Sequence, residues 1–198
     1  MSNKKILQKA RELINAESVA IQKISSKLDG DYLKIAALIS EENANVLVTG
    51  AGTSGTVAKR LAHLFATCGL RSFFVDPCEA LHGASGLMGK DDILIVFSKA
   101  GSSQEINELI RIARNRLCKV IGFTWNLDSE MASLCDFTVD VESGTAAEGE
   151  GILPFGSTLA AGAAADALCY MVLKLRKYDL GNLTTTHPSG ATKKLLDN

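Results

Sequence analysis

Five short apolar runs, each followed by a loop and then by helical spacing, limit this chain to few folds. They are Val46-Leu47-Val48, Ser72-Phe73-Phe74-Val75, Ile93-Leu94-Ile95-Val96-Phe97, Val120-Ile121-Gly122-Phe123 and Phe137-Thr138-Val139. The strongest of them do not alternate with polar residues, so both of their faces must be buried, as in a parallel sheet. Helical patterns lie between them over 56–67, 104–117 and, shorter, 78–83 and 129–134. Alternating strands and helices predict an α/β fold: a five-stranded parallel sheet flanked by helices in three layers. Pro154 opens a further helix to about Lys177, lined with small residues from Ala160 to Ala165. Two amino-terminal helices, over 4–28 and 32–39, are expected to precede the core and to pack on it or on a partner subunit. Residues 1–42 are read as that extension and 43–198 as the binding domain. The tail around Thr184–Gly190 leads to a short helix ending at Leu196.

In an open parallel sheet, ligands bind beyond the carboxyl ends of the strands where strand order reverses. Two strands here end in loops of one chemical kind, Gly50-Ala51-Gly52-Thr53-Ser54-Gly55 and Ser98-Lys99-Ala100-Gly101-Ser102-Ser103. Each opens a helix, so each offers bare N–H groups and a dipole that favours an anion. Hydroxyls add donors, and glycine lets the backbone approach closely. A phosphate group suits such a pair, with Gly52, Thr53, Ser54, Ser98, Lys99, Ser102 and Ser103 as the candidate binding residues. Two other readings stand beside it. Ser102 with Glu105 three residues on matches a capping box. The first loop also fits Gly-x-Gly-x-x-Gly, with Asp76 placed where a ribose-binding acid belongs in a dinucleotide fold.

Formal net charge is −1, which excludes a basic nucleic-acid track. Five scattered cysteines form no Cys-x-x-Cys and read as reduced core residues of a cytoplasmic protein. The start is polar, without an apolar stretch of the signal-peptide kind, and Asp166 interrupts the most apolar run, so no membrane partner is expected. The three histidines make no recognisable metal set, and no cofactor is expected.

The stretches Val46–Gly55, Ser72–Gly83 and Phe97–Ile106 together resemble sugar isomerase (SIS) domains. The segment Thr186-His187-Pro188-Ser189-Gly190-Ala191, followed by Lys194-Leu195-Leu196, is similar to the carboxyl-terminal signature of the arabinose-5-phosphate isomerase (KpsF/GutQ) branch. The resemblance covers about residues 40–196. It implies a Rossmann-like five-stranded sandwich, a homotetramer or dimer with shared sites, and a sugar phosphate as ligand. It places Ser54, Ser98 and Ser103 at phosphate-binding hydroxyls, His82 near the sugar, and His187 in the site, often of a neighbouring chain. The CBS pair that often follows such domains is expected to be lacking. Three positions depart from the branch: Thr53 stands for a lysine, Ser102 for a glutamate, and Ala146 for a glutamate before the last long helix.

An aldose–ketose isomerase needs a base to move a proton between adjacent carbons through an enediol, and an acid to open the ring. Glu148 or Glu150 is the expected base, with His187 assisting ring opening and His82 orienting hydroxyls. Solvated charges in a glycine-rich loop are the plainer account of the two glutamates. Trp125 reads as packing or as a sugar-stacking face, and Lys99 as phosphate charge or solvent-facing. The alternative function is a non-catalytic phosphosugar sensor; a dinucleotide enzyme is the third.

Overall fold

The computed structural model describes residues 1–41 and 44–186. Its sheet contains β1 (Val46–Gly50), β2 (Ser72–Phe74), β3 (Ile93–Phe97), β4 (Lys119–Thr124) and β5 (Phe137–Asp140). All neighbours are parallel, in the order β2-β1-β3-β4-β5. The chain leaves β1 toward β2 on one side and then returns to β3 on the other. The switch point therefore lies between β1 and β3, where Gly50 stands opposite Phe97.

Eight α-helices are described: α1 (Asn3–Lys27), α2 (Gly30–Ser40), α3 (Gly52–Thr67), α4 (Pro77–Leu81), α5 (Gln104–Asn115), α6 (Glu130–Leu134), α7 (Gly156–Leu175) and α8 (Leu183–Thr186). Successive strand residues point to opposite faces, which divides the core in two. Val46, Val48, Ile95, Phe97 and Phe123 meet α2, α3 and α7 on one face. Leu47, Leu94, Val96 and Val120 meet α5 on the other through Ile106, Leu109 and Ile110.

The two amino-terminal helices pack to different extents. On α2, Tyr32, Ile35, Ala36 and Ile39 are buried in the cluster that includes the sheet. The alanines of α7 leave room for this: Ala160, Ala164 and Ala165 are fully buried. The longer α1 buries only Ala20 and Ile24. By length and composition α7 is apolar enough to cross a membrane. Its Leu168 and Val172, both at 0% exposure, nevertheless join the sheet's core. All five cysteines are free; Cys68, Cys118 and Cys169 are buried as expected, but Cys78 is exposed on α4.

Candidate functional site

The loop after β1 is built on glycine contacts. A Cβ on Gly50 would stand 2.9 Å from the Ser54 backbone, and one on Gly55 would stand 2.7 Å from the Gly50 carbonyl oxygen. The first turn of α3 can therefore lie directly on the end of its strand. This turn starts at Gly52, four residues before the expected Thr56, with Gly52 at φ +56°. Open space surrounds the Gly52 Cα, and Thr53 is exposed with Ser54 half-buried beside it. Ala51 caps the helix with no side-chain hydrogen bond, so the first amides of α3 remain available to a ligand.

The loop after β3 behaves alike. The capping box predicted for Ser102 and Glu105 does not form. The N-cap is Ser103, and its side chain makes no cap hydrogen bond. One residue of shift places Glu105 in the second position of α5 rather than the third, too early for the reciprocal pair. Ser102 is exposed and Ser103 half-buried. Gly101 holds the loop down: it has φ +66°, and a Cβ there would overlap Ser129. Its carbonyl accepts from Met131 N–H at 3.1 Å, and the Lys99 carbonyl accepts from Trp125 N–H at 3.0 Å and Thr124 Oγ1 at 3.1 Å.

Between these loops and α7 runs a narrow cleft, open to solvent. Thr53 and Ser54 form one rim and Ser98 and Lys99 another. Phe97 and Phe123, stacked with centroids 4.5 Å apart, give it an apolar floor. The start of α7 closes the third side with Pro154, Ser157 and Thr158. Its Gly-Ser-Thr opening is a third hydroxyl-bearing helix start. Sequence reasoning passed over it, although its composition matches the two loops already singled out.

Glu148 lies against this wall with its side chain at 0% exposure. Oε1 accepts the Ser157 N–H at 2.7 Å, and Oε2 accepts the Ser157 hydroxyl at 3.1 Å. Lys99 Nζ donates to Oε2 at 2.9 Å and stands 4.0 Å from the centre of the Trp125 ring. A buried carboxylate is tolerated only when paired and hydrogen-bonded in this manner. The Trp125 indole nitrogen is buried without a hydrogen-bond partner.

Other predicted residues stand apart from the cleft. Glu150 is exposed at φ +49° and faces a separate hollow beside Lys9 and Leu13 of α1, which Glu148 also borders. His82 is exposed at the carboxyl end of α4. His187 lies outside the described residues. Gly52, Ser102 and Ser103 border the loops without lining the cleft itself. Asp76, the candidate ribose acid, caps α4 instead, accepting Cys78 N–H at 2.9 Å and Glu79 N–H at 3.3 Å. Among the described residues no group of three or more His, Cys, Asp or Glu could hold a metal ion.

Comparison with known proteins matches the SIS domain over residues 38–171. Arabinose 5-phosphate isomerase KdsD of Pseudomonas aeruginosa is 30% identical over 194 residues, covering 98% of this chain and 60% of that protein. The enzyme of that name from Francisella tularensis is 31% identical, covering 96% and 59%. The chain thus spans about 60% of the length of the curated relatives it matches. Two solved structures align along nearly all of both chains. One is a candidate sugar-phosphate isomerase from Listeria monocytogenes, at 30% identity and TM-score 0.90, covering 96% of this chain and all of that one. The other is an Escherichia coli CFT073 protein in complex with arabinose 5-phosphate, at 26% identity and TM-score 0.88, covering 95% and 100%. With the switch-point loops in place and the family pattern matched through the whole sheet, this chain belongs to the SIS domain family.

Proposed function

We propose that the protein is a phosphosugar isomerase of the arabinose-5-phosphate type, interconverting an aldose and a ketose phosphate by enediol acid/base chemistry. The observation that carries this reading is the pair of uncapped helix starts at the switch point, after β1 and β3. Their amides, with the hydroxyls of Thr53, Ser54, Ser98, Ser102 and Ser103 and the open face of Gly52, are the phosphate seat. The sugar would then extend along the cleft toward Trp125 and α7. Glu148 is the base candidate nearest that path, since its carboxylate bonds Lys99 and Ser157 of the cleft wall. His82 and His187 stay as proposals for orienting hydroxyls and opening the ring, the latter from this chain or a neighbour. Neither loop calls for a redox cofactor, because proton transfer between adjacent carbons changes no oxidation state overall. Residues 43–198 are proposed as the binding domain and 1–42 as its extension. A cytoplasmic homodimer or homotetramer suits the free thiols and the exposed apolar residues of α1.

One observation favours a sensor instead: the Glu148 carboxylate is fully covered, as a structural group would be. Calorimetric titration with arabinose 5-phosphate tests the shared premise, and NMR observation of ketose formation separates enzyme from sensor. Alanine at both Ser54 and Ser103 removes two charge-assisted hydrogen bonds and should weaken binding by about 10²-fold or more. Undiminished affinity in the folded double variant would exclude this seat. Binding without interconversion would select the sensor.

A further inference from the structure

Glu148 presents a conflict. A base must touch the carbon-bound proton it removes, yet this carboxylate is sealed beneath Lys99 and Ser157. Ser157 belongs to the first turn of α7 and is itself buried, so it is fixed. Lys99 is different. It projects from the phosphate-binding loop, lines the cleft, and leaves 37% of its side chain exposed. Its stem is flexible, and its ammonium touches both Glu148 and the face of Trp125. Of the two residues bonded to the carboxylate, it is the one able to move without moving a helix.

Resting on the phosphosugar reading, the geometry points to Lys99 as a phosphate-operated latch over Glu148. A phosphate dianion on the loops after β1 and β3 competes with a single carboxylate for the same ammonium. Ser98, the residue before Lys99, is on the cleft wall, so the ammonium reaches that seat by rotating its own side chain. Once it turns, Glu148 keeps the two Ser157 hydrogen bonds and is uncovered toward the sugar. No covalent bond is made or broken in this step. Lys99 is thus a positioning residue, keeping the carboxylate covered until a phosphorylated molecule arrives. The α7 amide that holds Oε1 keeps Glu148 in place meanwhile. An unphosphorylated sugar of the same shape would leave the latch shut.

Trp125 is the chain's one tryptophan, so its emission reports the ammonium above its ring. The experiment titrates inorganic phosphate into the full chain, following heat and tryptophan emission together. The wild type should show a saturable emission change with the same midpoint as the heat. In Lys99→Met, phosphate should still bind, about tenfold more weakly, with no emission change. In Glu148→Gln the internal competitor is gone. Emission before titration should already equal the phosphate-saturated value, and phosphate should bind about three- to tenfold more tightly. A carboxylate that merely braces the loop gives the opposite sign, equal or weaker affinity. Heat of binding without an emission change, or no tightening in Glu148→Gln, overturns the latch and leaves the phosphosugar reading intact. If Glu148→Gln fails to fold, the wild-type and Lys99→Met titrations decide alone. Absence of heat with both inorganic phosphate and arabinose 5-phosphate would overturn the reading beneath it.

Discussion

Gly101 and Gly52 have similar dihedral angles and opposite surroundings. Both are left-handed, at φ +66° and +56°, but a Cβ on Gly101 would overlap Ser129 whereas Gly52 faces open space. Gly101→Ala should therefore cost about 2–4 kcal/mol in denaturant unfolding, and Gly52→Ala nearer ~1 kcal/mol, the backbone term alone. A midpoint shift of the same size in both would refute the packing role given to Ser129. The sequence shows that each loop needs glycine, but it does not show which glycine meets a neighbour. Residue chemistry was legible in the same partial way at Ser102. A serine before a helix reads as a cap, yet the helix starts one residue later and its cap serine makes no side-chain bond.

The central strands β1, β3 and β4 were legible because each is a largely apolar run, and a strand buried on both faces has little other composition to choose; the edge strands β2 and β5 are mixed in composition and partly exposed. Helix starts were less so. Gly52 and Thr53 are poor helix formers, and only packing on the end of β1 makes their turn helical. The outer face of α1 carries Leu7, Ile14 and Ile21, spaced by seven and 59%, 63% and 40% exposed. This is the spacing of a helix-packing stripe, and it supports the proposed self-association. Glutamate at both Leu7 and Ile14 should convert the assembly to monomers in sedimentation velocity, with the far-ultraviolet spectrum retained. An unchanged sedimentation coefficient would move the interface elsewhere.

The contact most important to the candidate site, Lys99 with Glu148, joins residues 49 apart in sequence. Periodicity cannot report such a pair; only the arrangement of β3, β4 and the start of α7 creates it. Burial also sets how the molecule responds to alkali. It pushes the Cys118 thiol up to about 11 and the Cys135 thiol up to about 12, and raises the Tyr32 hydroxyl, with Asp140 adding to the last. These groups stay protonated when folded, while the unfolded chain's thiols ionise near 9. Above that pH the unfolded state binds fewer protons, so stability falls as pH rises. Denaturant midpoints under reducing conditions should match at pH 7 and 8 and decline steadily from 9 to 11. Cys118→Ala should flatten part of that decline, and an unchanged slope would remove Cys118 from it.

The uncapped amino termini of α3 and α5 have one more consequence. Peptide dipoles cannot be moved, titrated or shared, and they act only on something small enough to settle beyond the ends of two adjacent strands. A protein that receives its anion in this way needs no lysine-rich exterior. Long polymers of negative charge are too bulky to reach dipoles placed in this way. Selectivity for a small metabolite over such polymers would follow from backbone architecture before any side chain reads the sugar.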